Sequence, residues 1–139
     1  MTRFGIDANV LLRALLNDHP SQSEIAHDML ASLDEERRGY VGISAVLEIF
    51  WVLRSRYRVP RQPLCETMRE LLMIKYLDIE SSAAVVQALA MYQKGRVDFE
   101  DALLAERNVE ADCGFTYTFD RAASKAASSM ELLTGASRS

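Results

Sequence analysis

Two cysteines, two histidines and no surplus of positive charge narrow what this 139-residue chain can be. Cys65 and Cys113 lie far apart and fit no CxxC or Cys/His spacing, which argues against a zinc site; isolated thiols suit a reducing cytoplasm. A net charge of −4 lacks the basic face by which general nucleic-acid binders hold phosphates, although a local basic groove is compatible with it. No apolar run reaches the roughly 20 residues a bilayer-spanning helix requires. Asp7 and Arg13 interrupt any signal-like stretch near the start. The expectation is a soluble cytoplasmic protein with no membrane partner. There is no glycine-rich phosphate loop and no Ser–His pair, and His19 and His27 sit in a polar context that reads as surface. Internal repeats, low-complexity segments and linkers are likewise missing.

What remains is a chain about half hydrophobic, long enough for one core without disulfides. The expected organisation is a single domain over 1–134 with a frayed tail, 135–139. Arg3 to Ile6 reads as a strand, and a helix opens near Asp7 or Asn9 through Val10, Leu11, Ala14 and Leu15. Pro20 suits a first helical turn, followed by an amphipathic pattern through Ile25, Met29, Leu30 and Leu33 that ends in the charged run Asp34 to Arg38. Gly39 to Ile43 reads as a strand, with Ser44 placed to cap a helix that is apolar nearly all round. Pro60 bounds a further helix through Leu64, Met68, Leu71 and Leu72. Lys75 to Ile79 is a strand, and a helix from Ser81 closes at Gly95. A helix over 98–111, a strand over Gly114 to Phe119, a short helix from Ala122 to Ser128 and a strand from Met130 to Leu133 complete the pattern. Strands alternating with helices predict an α/β fold with a parallel sheet, whose ligand sites lie beyond the carboxyl ends of the strands.

Four acids stand out against this background. Asp7 closes the first strand, Glu48 interrupts the apolar run Ile43 to Leu53, Asp101 precedes Ala102-Leu103-Leu104, and Asp120 follows Phe115 to Phe119. Carboxylates forced into apolar surroundings are normally paired or metal-bound, so the four are expected to meet around a divalent cation. Each has an ordinary alternative. Asp7 and Asp120 fit helix caps, Asp98 fits a first-turn acid favoured by the helix dipole, and Glu48 fits an ion pair or a helix edge. Asn9 can cap in place of Asp7 or orient a carboxylate. Ser44 and Glu48, four apart, share a helix face, as do Asp98 and Asp101, three apart. An oxygen-only set suits Mg²⁺ or Mn²⁺. Two such ions about 4 Å apart stabilise both the attacking and the leaving oxygen of a phosphodiester.

The stretches Ile6-Asp7-Ala8-Asn9-Val10-Leu11-Leu12-Arg13, Ile43-Ser44-Ala45-Val46-Leu47-Glu48, Asp98-Phe99-Glu100-Asp101-Ala102-Leu103-Leu104-Ala105 and Thr116-Tyr117-Thr118-Phe119-Asp120-Arg121 resemble, in that order, the motifs of PIN-domain ribonucleases, in particular VapC-type toxins of toxin–antitoxin pairs. The resemblance covers almost the whole chain. It implies a three-layer α/β/α sandwich around a mainly parallel sheet and a Mg²⁺- or Mn²⁺-dependent endoribonuclease. On it, Asp7, Glu48 and Asp101 match the core acids, Asp120 the fourth and Asp98 an accessory one, with Asn9 and Ser44 in support. Ala8 departs from the pattern, because relatives commonly carry Thr or Ser after the first Asp. The resemblance also implies an RNA substrate, a homodimer and a small antitoxin whose C-terminal segment fills the active groove.

Two segments have competing readings. Phe50 and Trp51 exceed the needs of one helix face; they are read as core, with a dimer surface as the alternative. The basic stretch Arg54 to Arg61 is read as a solvated helix end whose cations complement the dipole. The alternative gives Arg54 and Arg58, together with Arg13, to RNA phosphates or antitoxin acids, with Tyr57 stacking on a base. Rivals to the nuclease are a phosphoryl-transfer or receiver-like regulator and a catalytically silent antitoxin-binding module. The first lacks a second Asp two residues after Asp7 and a mid-chain Asp-plus-Lys arrangement.

Overall fold

A computed structural model describes residues 1–135; most of the tail expected to fray lies outside the described residues. The chain divides into two compact units, Met1–Ser82 and the segment from Ala83 onward.

In the first unit, β1 (Thr2–Gly5), β2 (Arg37–Val41) and β3 (Leu77–Ile79) form a parallel sheet in that order. Thr2 pairs with Arg37 and Gly39 with Leu77. Between the strands run α1 (Ala8–Leu16), α2 (Pro20–Ala31), α3 (Ile43–Trp51) and α4 (Arg61–Leu72). Alternation along the strands sends Ile6, Val41 and Leu77 into the core. Gly39 sits between them. A Cβ there would lie 2.5 Å from Ile6 Cδ1 and 2.8 Å from Leu77 Cδ1, so any added side chain forces these buried chain ends to shift. On the other side of the strands, Arg38 grips Asp78 with two hydrogen bonds of 2.8 and 3.1 Å, and Arg3 approaches the same carboxylate at 3.6 Å. The Arg38 guanidinium, above all, holds the Asp78 carboxyl below its ordinary range.

The helices of this unit start and stop for local reasons. Pro20 occupies the first turn of α2, and His19 Nδ1 accepts the Gln22 N–H at 3.2 Å as its cap. Asn17, in the left-handed region at φ 54°, ends α1. The buried Ser23 hydroxyl donates to the Arg13 carbonyl at 2.7 Å, and His27 Nε2 donates to the Ala14 carbonyl at 2.8 Å, which ties α2 to α1. After Trp51 the helix widens into a π-helical turn over Val52–Arg56, before Pro60 and α4.

The second unit holds α5 (Ser82–Gln93, opening at the boundary), α6 (Phe99–Glu110), β4 (Thr116–Thr118), α7 (Arg121–Ala126) and β5 (Met130–Leu132). β4 and β5 pair in parallel, Thr116 with Met130 and Thr118 with Leu132, and α7 packs on both strands. Asn108 on α6 donates to the Thr116 hydroxyl at 2.8 Å. Every strand pairing among the described elements is parallel, apart from an isolated antiparallel bridge between Asp34 and Arg37. The fold is α/β, as expected.

Several local expectations are corrected. The strand read as Gly39 to Ile43 runs two residues earlier, because the turn Asp34 to Arg37 already starts the ladder and Gly42 is the residue before α3. Ser44 does not cap that helix. Glu80, just past β3, accepts the Ile43 N–H at 2.7 Å instead, a cap delivered from a distant part of the chain. The helix around Ile25 stops at Ala31, and Ile25 itself is 68% exposed. Phe50 is fully buried as core, whereas Trp51 is half exposed. Trp51 falls on the stripe of Ser44 and Glu48 at i+7 and i+3, so it shares their outward side.

Candidate functional site

Each of the acids lies at an element's end or on a helix's outer stripe. Asp7, Glu48, Asp98 and Asp120 are exposed and Asp101 is half-buried; the expectation of carboxylates forced into the core is corrected accordingly. Their neighbours are what is buried: Ile6 and Ala8 beside Asp7, Ile49 and Phe50 beside Glu48, Phe99 and Ala102 beside Asp98 and Asp101. Period-2 and period-3.6 alternation turns the carboxylates out as it turns these residues in.

In the first unit, β1 delivers Asp7 at its carboxyl end and β2 leads through Gly42 into the helix carrying Glu48. Helix α1 packs on α3. Asp7 has the extended backbone of an N-cap residue (φ −71°, ψ 149°), yet its side chain makes no cap hydrogen bond. The capping alternative therefore leaves its carboxylate unused. Beside it opens a groove of about 650 Å³, with Phe4, Ile6, Val10 and Met29 as apolar walls and Asn9 and Arg13 at its polar positions. Arg13 is braced by Gln22 Oε1 at 2.8 Å and Asp18 Oδ1 at 3.3 Å. Tyr57 donates to the other oxygen of Asp18 at 2.8 Å, which fastens the basic loop to the α1–α2 turn. That hydrogen bond, more than any other cause, lowers the Asp18 carboxyl and raises the Tyr57 phenol. Among the other candidate cations, Arg54 lies over the Phe50 ring, 5.2 Å from its centre, and Arg58 is exposed in the left-handed region at φ 52°.

In the second unit, Asp98 is the N-cap residue of α6, again without a side-chain cap bond, and Asp101 sits in its first turn. Asp120 does cap: its Oδ1 accepts the Ala123 N–H at 3.0 Å, while its own N–H donates to the Thr118 hydroxyl. Capping uses one oxygen and leaves the second. Burial first, then the negative charges of Asp98, Asp120 and Glu100, raise the Asp101 carboxyl above its ordinary value. These acids thus sense one another electrostatically. Among the described residues no three His, Cys, Asp or Glu side chains form a ready-made ligand set for a metal ion. Charge repulsion reaches further than coordination, so the two findings agree. Mg²⁺ needs only one or two carboxylates, with water completing its shell, and a hard oxygen set crowded with negative charge fits it chemically.

Sequence reasoning misses the Arg13–Asp18–Tyr57 brace and the Glu80 cap. The Tyr57–Asp18 bond and the Glu80 cap each span more than 35 residues of sequence, so neither leaves a short-range pattern. The aromatic run Phe115 to Phe119 reads first as strand propensity, although its alternation with Thr116 and Thr118 also carries the signal of a one-sided face.

An α/β protein with acids at the ends of its elements belongs to a wide class. The PIN domain family model matches residues 3–122. The chain belongs to the PIN domain family, and its fold is that of a nuclease family. Comparison with curated proteins gives no match. Among the described residues no helix is long and apolar enough to cross a membrane.

Proposed function

We propose that this PIN-domain protein is an endoribonuclease dependent on Mg²⁺ or Mn²⁺, the toxin component of a type II toxin–antitoxin pair. In this reading it acts in the reducing cytoplasm as a homodimer and is restrained by a small antitoxin. The observation that carries the nuclease reading is the raised carboxyl of half-buried Asp101 in the first turn of α6, where burial first, and then the charges of Asp98 and Asp120, oppose ionisation. Clustered perturbed carboxyls of this kind mark sites that bind cations or move protons. Membership in the family and the intact order of acidic motifs support the same reading. Residues 1–134 act as one catalytic domain in this proposal, a reading supported by a family match over residues 3–122 that spans the boundary at 82/83.

Asp7, Glu48, Asp101 and Asp120 are the proposed catalytic carboxylates, Asp98 an accessory ligand, and Asn9 and Ser44 supporting groups. A divalent ion held by these carboxylates would supply positive charge against the phosphoryl oxygens. One of these carboxylates accepts a proton from the attacking water. The water oxygen bonds to phosphorus, the bond from phosphorus to the leaving ribose oxygen breaks, and that oxygen takes up a proton from solvent water. Arg13, Arg54 and Arg58 are the proposed contacts to RNA phosphates or to acidic groups of the antitoxin.

The purified chain should cut single-stranded RNA in Mg²⁺ or Mn²⁺, stop in EDTA and recover on adding the ion back. Asp7→Asn and Asp101→Asn should each remove this activity without loss of fold. Normal cleavage by Asp7→Asn in Mg²⁺ contradicts the assignment.

A further inference from the structure

Gly42, the residue before α3, has no side chain with which to cap the helix, so the first N–H of α3 must find its acceptor elsewhere. It finds Glu80, one residue past β3, whose Oε1 accepts the Ile43 N–H at 2.7 Å. Glu80 is held by its backbone as well: its own N–H donates to the Val41 carbonyl at 2.9 Å, just beyond the paired residues Val41 and Ile79. The two bonds close a ring around Gly42, tying the end of β2 and the start of α3 to one residue 37 positions beyond Ile43. Directly after it, Ser81 stands in the left-handed region at φ 52°, a strained conformation for a residue with a side chain. None of Ile43, Ser44 and Ala45 is buried, so the first turn of α3 leans on this cap, whereas Val46, Ile49 and Phe50 hold the remainder of the helix in the core.

We propose that Glu80 is a positioning residue for Glu48: its cap fixes the start of α3 and so holds the Glu48 carboxylate in place relative to Asp7 for a divalent ion, an inference that rests on the nuclease reading. The three strands are parallel, so their carboxyl ends share one side of the sheet. Asp7 follows β1, Gly42 follows β2 and Glu80 follows β3. Asp7 is set by the ladder itself, because the Ile6 N–H donates to the Tyr40 carbonyl at 2.9 Å. Glu48 is one turn after Ser44 on the exposed stripe of α3, and α3 packs on α1, the helix that Asp7 opens. The position of Glu48 against Asp7 therefore depends on where α3 begins. Glu80 acts through its hydrogen bond and not as a ligand beside Asp7. Its Oε1 is committed to the Ile43 N–H, and β2 lies between β1 and β3, which separates the two strand ends by two interstrand spacings, about 10 Å. The charge of Glu80 adds a smaller contribution by facing the positive end of the helix dipole.

The test uses the full chain and Mn²⁺ alone, with the free ion read by electron paramagnetic resonance, so that neither RNA nor turnover is needed. Two conservative variants separate the bond from the charge. Glu80→Gln keeps an Oε1 that can accept the Ile43 N–H but loses the charge, whereas Glu80→Asp keeps the charge on a side chain one methylene too short. Glu80→Asp should weaken Mn²⁺ binding about 10-fold, the lower end of what losing an orienting partner costs a metal site, while Glu80→Gln stays within about 2-fold of the parent. In a Glu48→Gln background, Glu80→Asp should bring no further loss, because its effect passes through Glu48. Asp34→Ala removes the acceptor of the Glu36 and Arg37 N–H groups at the opposite end of β2, and should leave Mn²⁺ affinity unchanged. Circular dichroism of both Glu80 variants should match the parent. Unchanged affinity in Glu80→Asp overturns the proposal. So does a loss in Glu80→Gln as large as that in Glu80→Asp, which assigns the effect to charge, or a further loss in the Glu48→Gln background. An equal loss in Asp34→Ala marks general loosening of the sheet and overturns it too. The expected Mn²⁺ pattern in a chain that cleaves no RNA sinks the nuclease reading and leaves the role of Glu80 standing. Mn²⁺-dependent cleavage, with Glu80→Asp binding Mn²⁺ like the parent, does the reverse, and a parent chain that binds no Mn²⁺ sinks both.

Discussion

Replacing Gly39 by alanine tests whether the first sheet is closed as tightly as its geometry implies. The new methyl would lie 2.5 Å from Ile6 Cδ1 and 2.8 Å from Leu77 Cδ1, well inside contact distance. Both neighbours are more than nine-tenths buried, so their chain ends have little room to swing aside. Overpacking of this kind costs about 1–3 kcal/mol. Removing a glycine from the unfolded chain offsets about 0.4–1 kcal/mol of that. The net loss is about 1–2 kcal/mol, and with an unfolding entropy near 0.3 kcal/mol/K for a chain of this length the Tm should fall by about 3–7 °C. Gly5→Ala on the adjacent strand is the internal control, because nothing lies within 4 Å of its added methyl. It should leave Tm unchanged or raise it slightly. Calorimetry or thermal circular dichroism of both variants decides the matter; equal Tm values for the two would refute the packing argument. There is also a functional consequence. Ile6 is the residue before Asp7, so a shift that makes room for the added methyl is expected to reduce cleavage beyond what the lost stability explains.

The acids give pH predictions of opposite sign. Asp78 has a depressed carboxyl held by Arg38, so its stabilising contribution is present above its ordinary 3.8 and disappears as pH falls below that value; Asp78→Asn should flatten the acid limb of a Tm–pH curve. Asp101 has a raised carboxyl, so its ionisation opposes folding: Asp101→Asn should abolish cleavage yet match or exceed the parent Tm at neutral pH. That gain should grow as pH rises from 3.8 through the raised value and then level off, and a gain that instead shrinks with rising pH would contradict a raised Asp101 carboxyl. Of the two free thiols, Cys113 is exposed, whereas burial pushes the Cys65 thiol up. A thiol-reactive disulfide reagent should therefore titrate one group quickly in the native protein and the second only on unfolding.

How far the chain can be read depends on the range of the interactions involved. Pro20 at the start of α2, Pro60 before α4 and Gly95 after α5 punctuate the sequence where the elements break, because these signals act within a turn. Apolar spacing likewise identifies the buried sides of α4 and α5. The same rules fail where a distant residue intervenes. Ser44 looks like a cap because Ser commonly is one, yet Glu80 reaches the Ile43 N–H first. Trp51 looks like core because its neighbours are apolar, but a helix has only one inner side, and Phe50 takes it.

By itself, then, the order of residues determined the α/β alternation, the parallel connectivity and which acids follow which strands and open which helices, since all of these arise from periodicity, capping and turn chemistry within a few residues. Only the tertiary structure decided how those acids are used. It left Asp7 without a cap bond, gave Asp120 one, crowded Asp101 with like charge and turned three aromatic rings of β4 and its flanks outward. Burial, field strength and hydrogen-bond partners depend on residues far along the chain that become neighbours only on folding, and no local pattern encodes them.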